Sequence, residues 1–250
     1  MSGPGRWIAA AAGALLMAAA VGAGFALRGQ SDPVEPRAPG ERPPLMLLSA
    51  LPIVFPESFT LEADQSQVLD ALASRYEVIP ISLADRAALH DSRLLLMAQP
   101  QAQPAQVLVE LDSWVRGGGR ALVLADPSLE WPSALMLGDR RRPPMAFADT
   151  GLLAHWGLRL DAPDRAGPAT FELDGRVVNA ASPGSLIATG GNCEIAASGL
   201  VARCRVGEGR ATVIADADFI DAERRGPALS ANLAALLSEI ERLEPEHQAK

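Results

Sequence analysis

The sequence predicts an α/β domain: a mostly parallel sheet with helices on both faces and an antiparallel β insertion, preceded by one N-terminal transmembrane helix. Three observations carry this. Strand-like and helix-like segments alternate from Leu45 onward. Two near-identical decapeptides, GGGRALVLAD at 117–126 and GEGRATVIAD at 207–216, match at seven of ten positions. Each reads as a glycine turn, a short unbroken apolar run and then an aspartate, the pattern of a strand buried on both faces. Finally, an uncharged stretch of 21 residues, Trp7 to Leu27, lies between Arg6 and Arg28.

As a helix that stretch would be about 31 Å long, which just spans a bilayer. Ten of its residues are alanine and three glycine, and Ala18-Ala19-Ala20 offers a small-residue cleavage site. A signal peptide and an uncleaved anchor both stay open for residues 1–28. The length exceeds the ~7 to 15 residues of a signal core and favours the anchor. Orientation signals conflict, because Arg28, Arg37 and Arg42 on the far side count against export while Arg6 and the signal-like start favour it. Residues 29–44 hold five prolines and no apolar periodicity, so they read as an extended tether.

Residues 45–243 form the globular part. Leu45 to Ser49 is a first strand. Asp64 and Gln67 form a cap-like pair ahead of Val68, Leu69 and Leu72, giving a helix that ends near Arg75. Tyr76 to Ile81 and Arg93 to Ala98 read as strands. Pro104 opens a helix carrying Val107, Leu108, Leu111, Trp114 and Val115, and Gly117 closes it. Arg120 to Ala125 is the first decapeptide strand. After a loop rich in Pro and Arg, Thr150 caps a short helix through Trp156. Brief β segments follow at 158–160, 170–173, 177–179 and 185–189, with Asp174-Gly175 as a hairpin turn. The second decapeptide strand leads to a final helix with Leu229, Leu233, Leu236, Leu237 and Ile240 on one face, and 244–250 reads as a frayed tail.

The chain has two cysteines. A two-residue turn at Ser198-Gly199 sets Cys193 opposite Cys204, which brings a cross-strand disulfide within reach. Strict counting puts that pair at a hydrogen-bonded site, where the backbones stand farther apart, so a slightly different loop would suit it better. The alternative is two buried thiols in a cytoplasmic domain. A disulfide would argue for an oxidising compartment and a domain outside the cytoplasm.

A net charge of -8 leaves no broad cationic surface for a phosphate backbone, which excludes nucleic acid as a partner. The run Arg140-Arg141-Arg142 before Pro143-Pro144 reads as a solvated loop. In parallel sheets ligands collect at the carboxyl ends of the strands. There Asp126 and Ser128, Asp216 and Asp218, with Glu57 in the loop after the first strand, form a candidate ligand-binding rim able to hold a divalent metal. The competing reading is that these aspartates cap the following turns. The apolar loop Ala50 to Phe59 on the same rim is either packed inward or a ligand contact. No catalytic residue is assigned. No nucleophile elbow is present, and His90, His155 and His247 stand beside no candidate nucleophile. Gly117-Gly118-Gly119 precedes a strand rather than following one, so it is no phosphate loop and implies no cofactor.

The series RLLLMAQP, a helix ending in WVRGGGRALVLADPS, GEGRATVIADADFID and a terminal ANLAALL helix resembles the glutamine-amidotransferase-like domain of uncharacterised ABC-type transport system proteins, including the gliding-motility accessory type. The resemblance covers about Leu45 to Ile240. It implies a flavodoxin-like core without amidotransferase chemistry, held at the bacterial inner membrane through residues 7–27 and facing the periplasm. It further implies an accessory or ligand-binding part in a transport or envelope assembly, with ABC-type permease or ATPase subunits as partners. This chain lacks the cysteine, histidine and glutamate triad of active amidotransferases at any matching position.

Overall fold

The computed structural model describes residues 35–57, 66–90 and 92–245. In chain order the strands are β1 (Pro44–Ser49), β2 (Glu77–Ile81), β3 (Leu94–Ala98), β4 (Arg120–Leu124), β5 (Leu158–Asp161), β6 (Pro168–Leu173), β7 (Arg176–Ala181), β8 (Ser185–Ala188), β9 (Cys193–Ala196), β10 (Val201–Val206) and β11 (Gly209–Ile214). The α-helices are α1 (Gln67–Ala73), α2 (Ala105–Arg116), α3 (Leu152–His155), α4 (Ala222–Arg225) and α5 (Leu229–Leu243). The central sheet has seven strands in the order β2-β1-β3-β4-β11-β10-β9. The first five are parallel, and β10 and β9 continue the sheet antiparallel. This 2-1-3-4-5 order of parallel strands is a doubly wound arrangement.

The apolar runs are continuous because both sheet faces are covered. Leu45 and Leu47 pack with α1 and α5 on one side, while Met46 and Leu48 pack with α2 and α3 on the other. Each such leucine, fully removed from water, contributes about 1.5–3 kcal/mol. The two decapeptides are sheet neighbours in matching register, Ala121 beside Ala211 and Val123 beside Val213. Their shared glycines answer one packing demand. A Cβ at Gly119 would collide with the Trp114 ring, and one at Gly209 with the carbonyls of Val115 and Gly119.

Local starts and stops differ from expectation at several points. The cap of α1 is Ser66, whose hydroxyl accepts the Leu69 N–H at 3.4 Å, while Asp64 lies outside the described residues. Ahead of α3 the capping position belongs to Gly151 at φ 97°, held by the Asp149 carboxylate, and not to Thr150. The antiparallel insertion consists of two separate pairs, β5 with β8 and β6 with β7. Asp174-Gly175 turns the second pair with φ of 50° and 80°, as a tight hairpin requires.

Cys193 and Cys204 form a disulfide in the expected register. The turn is not the two-residue one, since Ala197 and Ser198 both take positive φ and Leu200 is helical. That shifts the hydrogen-bond phase. Arg205 N–H donates to Asn192 O at 2.9 Å, leaving the cysteines at the closer, non-hydrogen-bonded position with Cα atoms 4.0 Å apart.

The expected membrane span, 7–27, lies outside the described residues, among which no helix is long and apolar enough to cross a membrane. Within the stretch read as a tether, Arg37 contacts the domain. Arg37 N–H donates to Ser74 O at 2.9 Å, and its guanidinium pairs with Glu244 at 2.9 Å and stacks on Tyr76. Glu244, expected to begin a frayed tail, also accepts the Tyr76 hydroxyl at 2.6 Å.

Candidate functional site

At the carboxyl ends of β4 and β11, Asp126, Asp216 and Asp218 come together, each fully buried. One oxygen from each lies within 4.8 Å of the others. The parallel pairing of β4 and β11 brings the two strand-end aspartates side by side, and Asp218 follows in the next turn.

Most of their oxygens hold main chain. Asp126 Oδ1 accepts Ser128 N–H at 2.7 Å, and Oδ2 accepts Ala217 N–H at 2.9 Å and Asp218 N–H at 3.4 Å. Asp216 accepts Phe219 N–H at 2.8 Å and Ala181 N–H at 2.6 Å, tying β11 to the end of β7. Asp218 Oδ2 accepts Glu130 N–H at 2.7 Å. Burial raises the Asp126 carboxyl above its ordinary value. Asp216 is raised well above its own by burial first and the neighbouring Asp126 charge second. Such a cluster can share a proton, or offer oxygen ligands to a hard divalent cation.

Of the sequence-predicted residues, Ser128 joins the cluster through its N–H. Glu57 does not join it. Its carboxylate accepts Ala134 N–H at 3.0 Å, and it lines a separate crevice of 330 Å³ with Leu51, Phe55, Arg140 and Arg141. The apolar loop divides: Leu51 and Ile53 are buried in the core, whereas Phe55 is 67% exposed. His155 ends α3 exposed, its N–H donating to Gly151 O at 3.1 Å and its carbonyl accepting Arg116 Nη2 at 3.1 Å.

Two residues of the site carried no sequence signal beyond being polar at an element end. Gln99, buried with φ 43°, brackets the main chain of Asp126 with its amide and also donates to Pro144 O at 3.1 Å. Ser182, also buried and at φ 50°, accepts Gly167 N–H at 2.8 Å and donates to Glu130 at 2.5 Å.

No protein-family model matches the chain, and no curated protein matches it. Among solved structures it is similar to a cytoplasmic protein from Salmonella typhimurium, at 9% identity over 80% of this chain and 99% of that one, with a TM-score of 0.54. A ThuA-like protein from Bacteroides uniformis aligns at 10% identity over 84% of this chain and 95% of its own, with a TM-score of 0.47. An exo-β-1,4-mannosidase from an Opitutaceae bacterium aligns at 15% identity over 79% of this chain and 36% of its own, with a TM-score of 0.49. This chain spans about a third of the length of the first structures it matches. The Salmonella structure, at a TM-score of 0.54, shows a shared fold over four-fifths of this chain and no more than that. Nothing in it concerns transport or gliding motility.

Proposed function

We propose that the chain is a non-catalytic binding or interaction domain, tethered at the inner membrane through residues 7–27, facing the periplasm and accessory to an ABC-type transport or envelope assembly. One observation supports the non-catalytic part above others: the rim carboxylates already hold main chain, Asp126 accepting three N–H groups and Asp216 two. They act as staples between loops. The Cys193–Cys204 disulfide supports the outward placement, because such bonds persist in oxidising compartments. In a transport role its partners would be ABC-type permease or ATPase subunits.

A second reading, a metal-dependent hydrolase at the carboxylate rim, is favoured by the 4.8 Å grouping of Asp126, Asp216 and Asp218. Calorimetric titration of the full chain with Mg²⁺, Ca²⁺, Mn²⁺ and Zn²⁺ separates the two. The expected result is no saturable binding. A saturable site that disappears in Asp216→Ala would replace the first reading with the second.

A further inference from the structure

The crevice that holds Glu57 lies at the carboxyl ends of β1, β2 and β3, between the loop after β1 and the loop after β4. In the 2-1-3-4-5 order the chain changes direction across the sheet between β1 and β3, and a crevice at that point is where doubly wound sheets take ligands. At 330 Å³ it is at the small end of ligand sites, about 300–1,000 Å³. Half-buried Val54, Ile81 and Leu135 and the exposed Phe55 give it apolar walls. One carboxylate oxygen and one guanidinium on these walls have no hydrogen-bond partner. Glu57 Oε2 accepts Ala134 N–H, but the buried Oε1 accepts nothing. Arg140 gives its carbonyl to Gln101 Nε2 at 3.3 Å, while its exposed side chain makes no hydrogen bond or ion pair among the described residues. Arg141 is near enough to feel the Glu57 charge, yet its fork is closed on Asp139 at 3.2 and 2.8 Å. Counting Asp139, the cations and carboxylates of the crevice balance. A lone anion would meet Glu57 there and a lone cation Arg140, whereas a small molecule carrying both charges answers both.

We propose that the crevice binds a free α-amino acid with an apolar side chain: the ammonium donates to Glu57 Oε1, the carboxylate accepts from Arg140, and the side chain lies against Val54, Ile81 and Leu135. An ammonium brings three donors to the oxygen that lacks one, and a guanidinium meets a carboxylate through two parallel hydrogen bonds. The arginine loop is set before any ligand arrives. Gln101 Nε2 also donates to Arg142 O at 2.8 Å, and Arg142 Nη1 donates to Ser133 O at 3.3 Å, which fixes the main chain on either side of Arg141. The site uses none of Asp126, Asp216 and Asp218. A filled crevice and a metal-free aspartate cluster are compatible, so either reading can fail alone.

The test is isothermal titration calorimetry of the full chain with L-leucine, N-acetyl-L-leucine and L-leucinamide. The two analogues keep the side chain, the first losing the ammonium and the second the carboxylate. L-Leucine is expected to saturate a single site, and each analogue to bind about tenfold more weakly or worse, as the loss of a charge-assisted hydrogen bond implies. Glu57→Gln keeps an acceptor for Ala134 N–H and removes only the charge, and Arg140→Gln keeps the carbonyl that Gln101 holds. Each should weaken L-leucine about tenfold or more with the circular dichroism unchanged. Absence of saturable L-leucine binding, equal binding of all three compounds, or unchanged L-leucine binding in either variant overturns the proposal.

Discussion

Gln99 and Asp126 are joined by a reciprocal pair of hydrogen bonds: Gln99 Oε1 accepts the Asp126 N–H at 2.9 Å, and Nε2 donates to the Asp126 carbonyl at 3.0 Å. The end of β3 thereby clamps the end of β4. Gln99→Leu leaves the buried Asp126 N–H unpaired, while the Asp126 carbonyl keeps the Phe147 N–H at 2.6 Å, and is expected to cost about 1–3 kcal/mol in urea unfolding of the full chain. Gln99→Glu should also destabilise, since it sets a carboxylate against the Asp126 and Pro144 carbonyls. A loss below about 0.5 kcal/mol for the leucine variant would mean the clamp carries no weight.

The rim makes stability depend on pH. Asp126 and Asp216 both titrate above their ordinary values when folded, chiefly through burial. Between the unfolded value, near pH 4, and those raised values, the folded chain holds protons that the unfolded chain has released, so stability falls as pH rises. This contribution is complete below the unfolded value and lost through the folded ones. Urea midpoints from about pH 5 to pH 8 should show that decline, and it should shrink in Asp216→Asn, which is neutral throughout. Identical slopes in the two proteins would contradict it.

Cys193 and Cys204 are 11 residues apart, and closing a loop of that size in the unfolded chain is worth about 3 kcal/mol. Reduction of the full chain, or Cys193→Ser with Cys204→Ser, should lower the melting temperature by about 6–12 °C. Labelling of the native protein without reductant should find no reactive thiol. Two labelled thiols would remove the argument for an oxidising compartment.

Beneath the sheet, Glu239 of α5 is 1% exposed and accepts Arg203 Nε of β10 at 3.0 Å. Arg203 also reaches Asp174 at 2.6 Å. Glu239→Ala should cost about 1–3 kcal/mol, because Arg203 loses its charge-assisted hydrogen bonds to a buried carboxylate while keeping Asp174. Adding Arg203→Met should recover part of that loss. Strictly additive losses in the double variant would show that the pair is not coupled.

The parallel strands were legible because a sheet covered on both faces demands unbroken apolar runs, as in Leu94 to Ala98 and Arg120 to Leu124. Counting along one hairpin was enough to pair the cysteines, but not to find its hydrogen-bond phase, which depends on the positive φ of Ala197 and Ser198. Asp126, Asp216 and Asp218 were legible as strand ends. Their meeting was not, because strand order is set by packing between segments far apart in the chain. Glu57 was misplaced for the same reason: the loop after β4 comes between it and the cluster, and Ala134 takes its carboxylate. Gln99 and Ser182 gave no pattern to read, since a single polar residue after a strand looks the same whether it faces solvent or clamps a neighbour.

The pairing of β4 with β11 also bears on how the chain assembles. β9, β10 and β11 pair with immediate chain neighbours through short turns, and the disulfide lies within that unit. Ala211, by contrast, must find Ala121, 211 − 121 = 90 positions earlier, across the whole β5 to β8 insertion. Local contacts cost little loop entropy and form fast, whereas distant pairings wait. The C-terminal meander is therefore expected to gain protection first in pulsed hydrogen exchange, with β4 and β11 amides protected together afterwards. The two matching decapeptides mark the seam at which separately formed halves of the chain join last.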